Sequence, residues 1–395
     1  MIAARALLLV VCLFEQWAGA AKRDVPLPGV HAFFYVWYGT VEVDGNWTHW
    51  DHEVLDHWNP EISQIHKKAI GSKHNPPSNL HSAYYPLQGA YSSRDPNNLD
   101  AQFATMQAAG IDVAVVSWWG QPTNERATDT QGVASDLAMD DVFQAAERNG
   151  HVKVMLHLEP YPGRSEATVR SDLEYIMEKY SKYPSLYRSP KGFPCYYMYD
   201  SYHIQPHAWQ RLLTVDGDIT VRGTALDALF IGLWLDSGHG RDLKDAGFDG
   251  AYSYFASEGF SYGSTVAHWK TMVTFCNAYS LLSSLSVGPG YDDSAIRPWN
   301  RQNTKFREDG MYYEGFWEEA LVAGPSFVSI TSYNEWGEGT QIEPAREVLK
   351  SEGYEKAYSN YGKGGPHLYI NITEKYATTF RERALRQQKK YDKEL

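Results

Sequence analysis

Residues 327–341 read FVSITSYNEWGEGTQ, a short β-prone run that breaks into a polar, aromatic, glycine-containing cluster. A buried strand that ends in a functional loop has this form. The form recurs along the chain. Strand-type runs are predicted at 31–38 (HAFFYVWY), 113–118, 152–159, 195–199, 228–234, 250–254 and 282–287, with 327–332 the eighth. Helix-type periodicity fills the intervals at 98–109, 133–148, 166–182, 205–213, 241–246, 265–277 and 311–322, and an amphipathic run at 371–390 closes the chain. Such alternation implies parallel strands joined by right-handed crossovers. Eight units predict an α/β fold of the closed (β/α)8 TIM-barrel type, one catalytic domain over 21–395. A doubly wound open sheet would place a glycine-rich phosphate loop after the first strand, and Tyr38-Gly-Thr-Val-Glu42 is not one.

Composition narrows the function. The 395 residues carry a formal net charge of −12, without the basic balance that phosphate backbones or anionic membranes attract. No nucleic-acid partner is expected, and no obligate protein partner is evident. The 28 Tyr and 13 Trp outnumber the 15 Phe. Flat rings with hydrogen-bonding tips suit sugars, which present C–H faces and hydroxyl edges; core packing is the competing use. Residues 1–20 read as a signal peptide or a short signal anchor, from Arg5, the apolar run 6–14 and the small-x-small site Ala18-Gly19-Ala20. Cys195 and Cys276 stand in apolar surroundings at no metal spacing and are expected to be buried free thiols. The sequons Asn46-Trp-Thr48 and Asn371-Ile-Thr373 support a lumenal chain.

Long aperiodic stretches at 39–97, 119–131 and 288–310 follow predicted strands, where a barrel builds its active face. Most strands end in polar and aromatic residues: Ser117-Trp118-Trp119, His157-Leu-Glu159-Pro-Tyr161, Tyr199-Asp200, Tyr252-Ser-Tyr254 and, past the seventh, Tyr291-Asp292-Asp293. The sharpest cluster is Asn334-Glu335-Trp336-Gly337-Glu338. Its two carboxylates stand three residues apart, and Gly337 and Gly339 let the backbone turn so that both face one pocket. Glycoside hydrolysis needs two carboxyl groups with separated proton affinities. A pair of surface glutamates is the bland alternative. His49-Trp-Asp-His52 has H-x-x-H spacing but no third ligand, so hydrogen bonding is expected rather than a metal. Ser117 and Ser332 lack the G-x-S-x-G elbow of a serine hydrolase.

The segments HAFFYVWYG, SWWG, HLEPYPGR, YDSYHI, GLWLD, FDGAYSYFAS, VGPGYDDSAIRPWN and SITSYNEWGEGTQIEP, in that order over about 31–344, resemble those of the endo-α-1,2-mannosidases. The resemblance implies a (β/α)8 barrel of the Golgi lumen that releases a glucosylated mannose from glucosylated high-mannose N-glycans. It implies retention of configuration, no metal or other cofactor, and Glu335 and Glu338 as the catalytic pair. Glu335 would act as base on the 2-hydroxyl to close a 1,2-anhydro sugar, with Glu338 as acid and then base. Glu159 and Tyr161 match substrate-binding positions, and Trp118 and Trp119 would stack on the sugar upstream of the cut. Tyr199, Tyr252 and Tyr254 would line the pocket, with Asp292, Arg297 and Asn334 as orienters. Two departures stand out: Gly337 occupies a position where the family commonly has His, and the N-terminal anchor and stem are short, which leaves secretion open. The rivals are a glycan-binding lectin on the same barrel, a mannosidase for another α-mannan, and a metal-dependent barrel hydrolase.

Overall fold

The computed structural model describes residues 29–122, 128, 129 and 131–394, so the proposed targeting segment 1–20 lies outside the described residues. Eight parallel strands close into a barrel: β1 (Gly29–Phe34), β2 (Val113–Trp118), β3 (Lys153–Leu158), β4 (Cys195–Met198), β5 (Leu229–Leu233), β6 (Gly250–Tyr252), β7 (Leu282–Val287) and β8 (Phe327–Ile330). Pairing of β1 with β8, Gly29 opposite Phe327 through Ala32 opposite Ile330, closes the ring. A helix follows each strand: α1 (Pro96–Ala108), α2 (Met139–Asn149), α3 (Glu166–Tyr180), α4 (Pro206–Leu213), α5 (His239–Ala246), α6 (Val266–Ala278), α7 (Met311–Ala323) and α8 (Leu368–Glu394). The strands read as unbroken runs because both faces are covered; every residue of VAVVSW in β2 is buried.

Local chemistry sets the boundaries. Helix α1 begins at Pro96, earlier than the apolar period suggests, because the Asp95 carboxylate accepts the Asn97 amide and proline suits a first turn. Ser165 and Thr168 form a reciprocal capping box at the start of α3. Three strands stop two or more residues short of the predicted ends. β1 ends at Phe34 because the Asn334 side chain replaces a ladder partner, accepting the Tyr35 amide at 2.7 Å and donating to the Tyr35 carbonyl at 2.8 Å. β6 ends at Tyr252 because Tyr254 turns into the left-handed region at φ 58°. β8 stops at Ile330, and the chain folds back so that the Ser332 amide meets the Thr340 carbonyl.

The long stretch after β1 contains short helices at Val41–Asp44 and Pro60–His66, which its aperiodic sequence did not suggest. Its Tyr85–Pro86 pairs with Ala345–Arg346, stapling this loop to the one after β8. The lower barrel interior is polar and laced by side-chain hydrogen bonds. The Tyr197 hydroxyl bridges His31 Nδ1 (2.8 Å) and Ser284 (3.0 Å), and Ser329 joins Ser284 and Ser286. Phe33 packs in the middle, its ring centroid 4.7 Å from that of His157 and 5.0 Å from that of Tyr254. Cys195 and Cys276 are buried free thiols, as expected. Among the described residues, no helix is long and apolar enough to cross a membrane.

Candidate active site

A cleft of about 790 Å³ opens at the C-terminal end of the strands, where a barrel carries its chemistry. Strand periodicity explains much of its lining. Phe33, Ser117, His157, Tyr197 and Tyr252 point into the barrel interior, and the residues two positions further on are Tyr35, Trp119, Glu159, Tyr199 and Tyr254, all of which line the cleft. Trp37 continues the alternation one step beyond Tyr35. The first long loop adds His49, His52 and His81, the loop after β7 adds Ile296 and Arg297, and the loop after β8 adds Glu335, Gly337 and Glu338.

The Glu335-Trp-Gly-Glu338 turn is held from below. The Glu335 amide donates to Ser332 Oγ (2.7 Å), itself bonded to Thr340 Oγ1 at 2.9 Å. The Trp336 indole is fully buried and donates to Glu343 Oε2 at 2.9 Å. Tyr38 donates its hydroxyl to the Asn334 carbonyl and accepts the Trp336 amide. On this base, Glu335 Oε1 accepts the amides of Gly337 (3.0 Å) and Glu338 (3.2 Å), whereas its buried Oε2 has no protein partner. Glu338 is 27% exposed and accepts Arg297 Nη1 at 3.3 Å; the same guanidinium nitrogen lies 3.1 Å from Asp293 Oδ2.

Burial pushes both carboxyls above their ordinary proton affinity. Glu335 is raised furthest, first by desolvation and then by the Glu338 charge. Glu338 is raised by desolvation against the opposing pull of Arg297. Two like charges this close favour a state in which the pair shares one proton. Glu159 stands across the cleft, its Oε1 accepting Ser117 Oγ at 2.8 Å and lying 3.0 Å from His157 Nδ1. Tyr35 and Tyr254 share a short hydroxyl–hydroxyl bond, and the left-handed backbone of Tyr254 is fixed by its amide donating to Ser286 Oγ. Such strain in a cleft is a common mark of function.

The structure redistributes the sequence-predicted residues. Glu335, Glu338, Glu159, Trp119, Tyr199, Tyr254 and Arg297 meet in the cleft. Trp118 is a correction. Adjacent strand residues face opposite ways, so it points outward, donates its indole N–H to Asp136 and stacks on Tyr175 of α3. Tyr161 is not on the cleft wall either; its hydroxyl is committed to Asp172 of α3 at 2.5 Å. Tyr252 lies one layer beneath, bonded to His157 Nε2 at 2.7 Å. Asn334 is fully buried as the clamp on Tyr35, and Asp292 supports the pair only through its backbone amide on the Glu338 carbonyl.

Tyr35, Trp37, His81 and Ile296 escaped the sequence reading. The spacing 31, 33, 35, 37 carried the signal for the first two; nothing local marks His81. Its ring explains Gly337: a Cβ there would lie 2.9 Å from His81 Cδ2 and 3.0 Å from Glu335 Oε1. Imidazole from the first loop therefore fills the space that a side chain at 337 would take. His49 bonds Asp129 at 2.7 Å and stacks on Trp37, and His52 bonds the Glu53 carbonyl, which matches the hydrogen-bonding expectation. Among the described residues, no three His, Cys, Asp or Glu side chains converge as a metal site would require.

Comparison with known proteins adds independent findings. The family model for glycosyl hydrolase family 99 matches residues 28–382. The glycoprotein endo-alpha-1,2-mannosidase of Rattus norvegicus is 41% identical over 355 residues, 89% of this chain and 74% of that protein. A glycoprotein endo-alpha-1,2-mannosidase-like protein of Danio rerio is 40% identical over 89% of this chain and 78% of its own. The GH99 endo-alpha-mannosidase structure from Bacteroides thetaiotaomicron superposes with a TM-score of 0.80 at 36% identity, covering 90% of this chain and 98% of that one.

Proposed function

This chain belongs to glycosyl hydrolase family 99 and is a glycoside hydrolase, and on that premise we propose that it is a retaining endo-α-1,2-mannosidase that releases a glucosylated mannose from glucosylated high-mannose N-glycans. The catalytic domain spans 21–395, and the protein works in the secretory lumen, in the Golgi or after secretion. Exposed Asn46 and Asn371, each in a sequon, fit that setting.

The observation that carries the reading is the Glu335–Glu338 pair on one rigid turn, with Glu335 Oε2 buried and unpartnered at the cleft. In an α-mannoside, the 2-hydroxyl and the bond from C1 to the leaving oxygen are anti. O2 is thus placed to attack C1 from behind. Glu335 Oε2 takes the 2-hydroxyl proton as O2 closes a 1,2-anhydro ring, while Glu338 gives its proton to the departing oxygen. Water then opens the ring at C1, losing a proton to Glu338, and Glu335 returns its proton to O2. The double inversion retains configuration without the glycosyl-enzyme ester of the usual retaining scheme. A glucoside, with its equatorial 2-hydroxyl, has no such path.

Burial by itself favours the shared proton on Glu335, whereas the reaction starts with it on Glu338. Substrate reverses the order, because its 2-hydroxyl donates to an ionised Glu335 and its glycosidic oxygen accepts from a protonated Glu338. The high proton affinity of Glu335 then suits a base that must deprotonate a weakly acidic hydroxyl. The deciding experiment is digestion of monoglucosylated high-mannose N-glycan, read by mass spectrometry and anomeric NMR. A glucosyl-mannose disaccharide released first as the α-anomer, and lost in Glu338→Gln, is expected. Glycan that binds but stays intact with the unaltered protein would sink the enzyme reading in favour of a lectin.

A further inference from the structure

Gly337 is a glycine for want of room, not for want of conformation. Its backbone lies outside the left-handed region that Gly339 occupies at φ 63°, so its torsions admit any side chain. What forbids one is the His81 ring. A Cβ at 337 would lie 2.9 Å from His81 Cδ2, 3.1 Å from His81 Nε2 and 3.0 Å from Glu335 Oε1. Ring and carboxylate thus converge over the bare face of Gly337, whose amide is one of the two that hold Glu335 Oε1. His81 reaches this place on a built support. Lys356 Nζ, from the loop before α8, donates to the carbonyls on either side of it, Leu80 (2.5 Å) and Ser82 (2.9 Å). The Leu80 amide donates to the Tyr358 hydroxyl at 2.6 Å. The imidazole, 1% exposed, stacks on His52 and packs against Trp50 and Tyr38, the tyrosine that fastens the turn through Asn334 and Trp336.

We propose that His81 is a positioning residue for Glu335, and that residues 81 and 337 form a reciprocal pair: the space beside the base holds one imidazole, from either loop, and needs it. The inference rests on the reading of Glu335 as the base. With the ring in place, the turn cannot sag toward the first loop, so the Gly337 and Glu338 amides stay on Oε1 and Oε2 stays aimed at the cleft. Without it, the bare glycine borders a void the size of a side chain, and the turn relaxes into it. A side chain added at 337 while His81 remains overfills the space and pushes the turn the other way. Burial keeps the imidazole neutral, and His52, His49, His74 and Lys356 around it act in the same direction. Glu335 itself faces Glu338 and Arg297. Removing His81 therefore takes no charge from the pair. The two amides lower the proton affinity of Glu335, so slackening them raises it, whereas water let into the space would lower it.

The test compares four full-length proteins on monoglucosylated high-mannose N-glycan: unaltered, His81→Gly, Gly337→His, and the exchange His81→Gly/Gly337→His. Each single variant is expected to lose about tenfold or more in kcat with KM within about twofold, and the exchange to recover to within about threefold of the unaltered protein. In His81→Gly the acid limb of the kcat/KM profile, which reports the base, moves to higher pH. Losses that multiply in the exchange overturn the proposal, as do single variants that match the unaltered protein. An acid limb that stays or moves to lower pH overturns it too, and so does a loss confined to KM, which would make His81 a substrate contact. If a single variant does not fold, activity recovered in the exchange supports the pair and its absence overturns it. If the unaltered protein cleaves nothing, the endo-mannosidase reading fails by itself. The pair is then judged by urea denaturation of the same proteins: midpoints lowered in both single variants and restored in the exchange support it, and additive lowering overturns it.

Discussion

Glu335 presents one carboxylate oxygen to two backbone amides and the other to the cleft, while Glu338 presents an oxygen to Arg297. The two groups therefore differ in what opposes their burial: fixed amide dipoles for one, a full positive charge for the other. Arg297 holds the proton affinity of Glu338 down against desolvation. Since Glu338 must be protonated to act as acid, replacing Arg297 by Met should move the alkaline limb of the kcat/KM profile to higher pH, with a lower plateau. A limb that stays put, or moves to lower pH, would show that Arg297 does not set the acid. Position 118 teaches the converse lesson. Trp118 and Trp119 are chemically identical neighbours, yet one stacks in the helical layer and the other lines the cleft, because a strand sends successive side chains to opposite faces.

Between elements, polar side chains do the fastening. Asp136, 1% exposed, gathers the Trp118 indole at the end of β2 (2.8 Å) and three groups of α3: the Tyr175 and Tyr180 hydroxyls at 2.7 and 2.5 Å and Lys179 Nζ at 2.8 Å. The Ser135 hydroxyl beside it accepts the Trp119 amide, so this knot also sets the angle of the cleft tryptophan. Asp136→Ala strands two buried donors, on Trp118 and Tyr180. Each costs about 1–3 kcal/mol when left unpaired, so the unfolding free energy should fall by about 3 kcal/mol or more. Urea denaturation measures this, and a loss under about 1 kcal/mol would mean that the donors find other partners. The Asn334 clamp on Tyr35 works likewise, binding the loop that carries the carboxylates to the one that carries most of the cleft aromatics.

At the scale of the whole molecule, buried titratable groups pull stability in opposite directions. Glu343 is buried, and desolvation lifts it to about 7 although Gln102, Tyr91 and Trp336 all donate to it. A carboxyl raised in this way adds stability that is complete below its ordinary value of 4.5 and is lost as pH climbs through 7. His31 and His52 are depressed by burial, to about 3 and about 4, and their contribution is present above 6.5 and lost as pH falls below it. Between pH 4.5 and 6.5 the carboxyl opposes the histidines and offsets part of their pull. Glu343→Gln should expose the histidine side of the balance, steepening the loss of stability on acidification across that window by about 1.4 kcal/mol per pH unit. An unaltered slope in denaturation curves at several pH values would rule this account out. What the sequence by itself determined is the alternation of eight buried strands with eight helices and the pairing of Glu335 with Glu338, because periodicity and a short turn are local. The inward spacing of Tyr35 and Trp37 was legible too, once a strand's facing is known. Tertiary structure alone decided that Trp118 turns away, that Tyr161 is spent on Asp172, and that His81 stands where a side chain at 337 would go. Those facts depend on which loops meet across the barrel mouth, and loops brought together by strand closure leave no periodic trace in the chain.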